Sequence, residues 1–206
     1  ALLLGALLLT ACTAPAPAAP ETTEAATPAT AAIDDRAYRS LTLANGLDVL
    51  VVSDPDTDRA AAALAVDVGS FAEPADRPGL AHFLEHMLFL GTEKYPSPDE
   101  YNEYISRHGG DRNAYTALDH TNYFFSISAD HLRGALDRFS QFFVAPLFTA
   151  EYVAREKSAV HSEYQLQLKD DGWRTYMTQK RALNPAHPGS RFTIGSLATL
   201  EDRQES

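Results

Sequence analysis

Residues 82–86 read His-Phe-Leu-Glu-His, two imidazoles and a carboxylate inside an otherwise apolar run that includes Leu80, Phe83, Leu84, Met87, Phe89 and Leu90. A helix turns about 100° per residue, so with His82 at zero His86 lies near 40° and Glu85 near 300°. All three side chains therefore share an arc of about 100° on a helix that should be buried. Burying them without partners would cost on the order of several kcal/mol. A shared partner removes the difficulty. Two neutral imidazoles one turn apart can bind one cation, and the carboxylate beside them can reach a water on that cation.

His-x-x-Glu-His is the reverse of the His-Glu-x-x-His metal helix, and it points to an inverted zincin site. Such a site needs a third protein ligand. The stretch Glu-Lys-Ser-Ala-Val-His-Ser-Glu-Tyr offers Glu156 and Glu163. On one helix they lie about 20° apart in angle and about 10.5 Å apart along the axis, so both cannot ligate one metal in the same way. One would be a ligand and the other a supporting group, and spacing alone does not say which. His161, between them, points to another face and reads as a surface or packing histidine.

The elements that must hold these groups are legible as a mixture. Residues 40–54 read as two strands around Asn45-Gly46, a hairpin signal. A small-residue stretch from Ala60 reads as a third strand, with helix still open. The buried helix follows, with Gly91 as its C-terminal stop. Residues 97–110 read as a helix with Ser97 as N-cap, acids in the first turn and Gly109-Gly110 at the end. Residues 111–119 and 120–130 read as a strand pair with Tyr123, Phe125 and Ile127 on one face. From Asp130 the pattern is helical. Strands, hairpins and helices intermixed give an α+β class, an antiparallel-rich mixed sheet packed on helices.

The chain has 206 residues, enough for one domain with a core, and 45% hydrophobic against 22% charged residues is ordinary for a soluble globular protein. A net charge of −11 argues against nucleic acid as a partner, because phosphate binding needs a basic patch. The single cysteine, Cys12, allows neither an intrachain disulfide nor a cysteine zinc finger. It follows a short apolar run and closes Leu-Thr-Ala-Cys, a tetrapeptide resembling a bacterial lipobox. Residues 1–12 therefore read as a signal peptide that has lost its first residues, with Cys12 as the lipidation site. Residues 13–36, rich in Ala, Pro and Thr, read as a disordered tether. Residues 37–206 read as the folded domain. Thr13 after the cysteine, rather than Asp, favours the periplasmic face of the outer membrane of a bacterial cell envelope.

Several separate stretches, in order, resemble the pitrilysin/insulysin family of zinc peptidases: 79–96, 104–116, 120–125, 156–164 and 184–192. The likeness runs from about Tyr38 to Leu200. It implies one Zn2+ per chain held by His82, His86 and Glu163, with Glu85 as catalytic base and Glu156 as the supporting carboxylate. It also implies that residues 113–116 form an edge strand whose Asn113 and Ala114 bind substrate backbone. The side chains of Tyr115 and Thr116 read as plain sheet residues. The activity implied is endopeptidic cleavage of peptides or small unfolded proteins by metal-activated water. The resemblance further implies an incomplete first domain, a missing C-terminal half of the same polypeptide as partner, and poor activity of the isolated segment. Two other readings are a non-catalytic assembly subunit on the same fold and a processing peptidase for one dedicated substrate. The intact metal motif favours the enzyme.

Overall fold

Residues 22–24 and 28–202 are described by a computed structural model of the chain, and they fall into two units, divided between Asp56 and Thr57. Cys12, the expected signal segment and half of the expected tether lie outside the described residues. The first unit is a three-stranded antiparallel sheet of β1 (Thr23–Glu24), β2 (Ala37–Thr42) and β3 (Asp48–Ser53), in that order. The hairpin expected at Asn45-Gly46 is present. Leu43 and Leu47 close it with a 2.8 Å backbone hydrogen bond, and Gly46 takes a left-handed φ of 86°.

In the second unit β4 (Arg59–Val66), β5 (Asp111–Thr116) and β6 (Thr121–Ser128) form an antiparallel sheet in the order β4-β6-β5. The small-residue stretch from Ala60 is thus a strand, paired along its length from Arg59 opposite Ser128 to Val66 opposite Thr121. β6 is central, and its period of two sets one face. Tyr123, Phe125 and Ile127 are buried while Asn122, Phe124 and Ser126 between them are half-buried. The buried face receives α2 (Glu100–Arg107) through Tyr101 and Ile105, and α3 (Leu132–Val144) through Ala135, Phe139 and Phe142.

The metal-motif helix, α1, runs Leu80–Met87. Gly91, expected to stop it, has a φ of 96° in the turn that follows rather than at the helix end itself. Ser97 is not the cap of α2. The helix begins at Glu100 with Asp99 in the N-cap position and no side-chain capping bond. The helical pattern after residue 149 divides into α4 (Ala150–Gln167) and α5 (Asp171–Arg181). Asp170 makes the division: its side chain accepts the Trp173 backbone N–H at 2.6 Å and so opens a new helix instead of continuing the old one. A second buried cluster, Val160, Ile194 and Leu200 with Phe83, Tyr164 and Trp173 beside it, joins α1, α4, α5 and the segment after residue 191.

Candidate metal centre

His82 and His86 stand one turn apart on α1 with their rings nearly perpendicular, at 89°. Their Nε2 atoms face each other at 3.3 Å. Glu163, from α4, brings a carboxylate oxygen to 3.5 Å from His82 Nε2 and 3.8 Å from His86 Nε2. Three ligands placed tetrahedrally at zinc-ligand distances would lie about 3.4 Å apart. The observed spacings match that, and two nitrogens and one oxygen suit a first-row divalent cation. Among the described residues no other trio of His, Cys, Asp or Glu ligand atoms converges in this way.

The remaining ring nitrogens are also engaged. His86 Nδ1 lies 3.3 Å from Glu156 Oε2, and His82 Nδ1 lies 2.7 Å from the Ile194 carbonyl. An acceptor at each Nδ1 favours the tautomer whose Nε2 lone pair faces the other ligands. Of the two glutamates that spacing left equivalent, Glu163 lies in the three-atom cluster and Glu156 lies against His86 Nδ1.

Glu85 projects from the same helix and is 9% exposed. Its Oε2 accepts a 2.6 Å hydrogen bond from the Thr116 hydroxyl at the end of β5. Its other oxygen makes no hydrogen bond among the described residues. Both Glu85 and the histidines line a cleft of about 590 Å³ bounded by β5 at Ala114 and Tyr115 and by Trp173 and Tyr176 of α5. Among the described residues β5 is an edge strand, paired with β6 alone. The Ala114 N–H donates to its neighbour's side chain, Asn113 Oδ1, at 3.0 Å, so it points away from β6.

The N-terminal end of α1 is held by a group that the sequence did not reveal. Glu73 is buried, and its two carboxylate oxygens accept the backbone N–H groups of Gly79 and Ala81, each at 2.9 Å. Burial pushes its pKa above the usual carboxylate range, against the pull of those two donors. Thr116, read as a plain strand residue, is the other group missed. Its partner is 31 positions away in the chain, so no local period could have exposed the contact.

Residues 48–186 match the family described as Insulinase (Peptidase family M16). The chain is 52% identical over 170 residues to the insulin-degrading enzyme of Mus musculus, covering 82% of this chain and 17% of that protein. It is 51% identical over 173 residues to a protein of Arabidopsis thaliana named insulin-degrading enzyme-like 1, peroxisomal, covering 84% and 18%. The crystal structure of pitrilysin superposes with a TM-score of 0.83 at 40% identity, over 88% of this chain and 20% of that one. The chain therefore spans less than a fifth of the length of these two relatives.

Proposed function

The chain belongs to the insulinase family, peptidase family M16, and from that premise we propose that it carries the metal half of a zinc endopeptidase acting on peptides. The observation that carries this is the convergence of His82, His86 and Glu163 beside Glu85 in one cleft. His82, His86 and Glu163 would hold the zinc, which would supply Lewis acidity toward a carbonyl and a water. The chain's own residues do the rest. The Ile194 carbonyl and Glu156 orient the two imidazoles. Thr116 occupies Glu85 Oε2 and leaves Oε1 as the atom that takes a proton from the attacking water and returns it to the leaving amine. The outward N–H of Ala114, with Asn113 beside it, is placed to receive the carbonyl of an extended peptide added to β5. A relative named for degrading insulin supports peptides as the substrate class.

Metal analysis of the purified chain tests the site directly. One zinc per chain is expected, with loss in His82→Ala plus His86→Ala; retention of stoichiometric zinc by that double variant would refute the assignment. Glu85→Gln keeps the metal, and in a full-length enzyme it lowers cleavage by about 10²–10⁴-fold.

We propose in addition that Cys12 carries lipid and tethers the domain to the periplasmic face of a bacterial outer membrane. The support is the Leu-Thr-Ala-Cys tetrapeptide after an apolar run, followed by the Ala/Pro-rich stretch. Among the described residues no helix is long and apolar enough to cross a membrane. Labelled fatty acid should enter the wild type and not Cys12→Ser; equal labelling of both removes the proposal.

A further inference from the structure

Four contacts meet at the N-terminal end of α1. The Ile194 carbonyl lies 2.7 Å from His82 Nδ1. Gly195 lies backbone to backbone against Gly79, the N-cap of α1, so that a Cβ on Gly79 would fall 2.2 Å from Gly195 Cα and 2.3 Å from its N. Both glycines have left-handed φ values, 93° and 100°. Arg191, at the head of the same segment, donates to the Glu73 carbonyl at 3.0 Å, while the Glu73 carboxylate caps Gly79 and Ala81. Downstream, Ile194 and Leu200 are buried with Val160 of α4, one turn before Glu163.

We infer that residues 191–200 form a strap that assembles the metal centre, and that the Ile194–Gly195 peptide is its positioning element for His82. This rests on the reading of His82, His86 and Glu163 as zinc ligands. His82 has two chemically distinct nitrogens and a ring free to turn about two bonds. A carbonyl can only accept, so the Ile194 oxygen selects the form protonated at Nδ1 and holds the ring so that Nε2 faces His86 and Glu163. No side chain from α1 or α4 does this for His82, whereas His86 has Glu156. The carbonyl reaches the ring because Gly79, without a Cβ, lets the strap lie directly on the helix end, while Gly195 turns the strap at a left-handed φ where an added Cβ would press on the Leu200 and Val160 side chains. The same strap packs on α4, so the helix of the two histidines and the helix of the third ligand are set against each other by one segment. That segment is 112 positions from His82, and the family match ends at residue 186, before it begins.

The experiment measures zinc affinity of this chain by chelator competition for the wild type, Gly79→Ala, Gly195→Ala and the double variant. Each single change should weaken zinc by about 10–100-fold. The double variant should lose little more than the worse single, since both break one contact. The imidazole NMR spectrum of the zinc-loaded wild type should show His82 bound through Nε2 with an Nδ1 proton protected from exchange. In the variants that proton should exchange freely while the one on His86 stays protected. Folded variants with unchanged zinc affinity, or a wild-type His82 that binds through Nδ1 or exchanges freely, would overturn the inference. The wild-type spectrum decides the matter even if neither variant folds. A wild-type chain that takes up no zinc at all would remove the metal reading itself, a result distinguishable from both.

Discussion

At the scale of single residues, the site separates groups that share a chemical type. Two glutamates one helix apart from the histidines do different things because one reaches the Nε2 pair and the other an Nδ1. A third, Glu85, has one oxygen held by Thr116. A hydrogen bond to a carboxylate contributes roughly 1.5–3 kcal/mol, and its loss only where the base must stay aligned would slow chemistry about tenfold to a hundredfold. Thr116→Val in a full-length enzyme should therefore lower kcat by that factor with KM and zinc affinity unchanged. Thr116→Ser should restore most of it. Equal losses in both variants, or a loss confined to KM, would show that Thr116 serves only the strand. The three residues of the motif were legible in the sequence because they sit within one helical turn. Thr116, Glu73 and Ile194 were not, because their contacts join positions far apart and nothing in the local pattern marks them.

At the scale of elements, the strands were legible where alternation is clean, as in β6, and where a turn dipeptide fixes a hairpin, as between β2 and β3. The break between α4 and α5 was harder to see. Both flanks are helical in composition, and only the capping bond of Asp170 decides it. The junction of α2 and α3 holds a feature with a pH consequence. His108, at the end of α2, stacks on His131, at the start of α3, with centroids 3.6 Å apart. Burial, then the neighbouring His131, then Arg107 and Arg138, pull the His108 pKa below its ordinary value. A histidine that resists protonation when folded takes up more protons when unfolded. Its contribution to stability is then complete above about pH 6.5 and is lost as pH falls toward the depressed folded value. Thermal unfolding of the metal-free chain should shift to lower temperature as pH falls below about 6.5, and His108→Asn should flatten that shift. An identical slope in the variant would assign the acid sensitivity elsewhere.

At the scale of the whole molecule, the two units carry different shares of the chemistry. Every group in the metal cluster, its supports and the cleft belongs to residues after Thr57. The cleft is open enough that Glu163 keeps 39% of its side-chain exposure, and a site in contact with water loses much of the field that a closed one would apply. The stretch matched to the Mus musculus and Arabidopsis thaliana relatives is 17% and 18% of their lengths. The 206 residues alone, loaded with zinc, should cleave a quenched fluorescent peptide orders of magnitude more slowly than pitrilysin at equal zinc occupancy. Comparable turnover would make this segment a complete catalyst.

The hydrogen bond from the Ala114 amide to Asn113 Oδ1 has a further effect on any peptide that docks along β5. If β5 takes up a peptide as proposed, the incoming carbonyl would have to displace an acceptor that the strand already holds, so association would begin as an exchange and not as the filling of an empty donor. That exchange is the same for every peptide, because it involves only main-chain atoms of the guest. It lowers the affinity of all candidates alike and cancels in the ratio between any two of them. Backbone pairing at this strand would then set how much peptide is held, and discrimination among peptides would fall to the side chains that meet the aromatic wall of Trp173 and Tyr176.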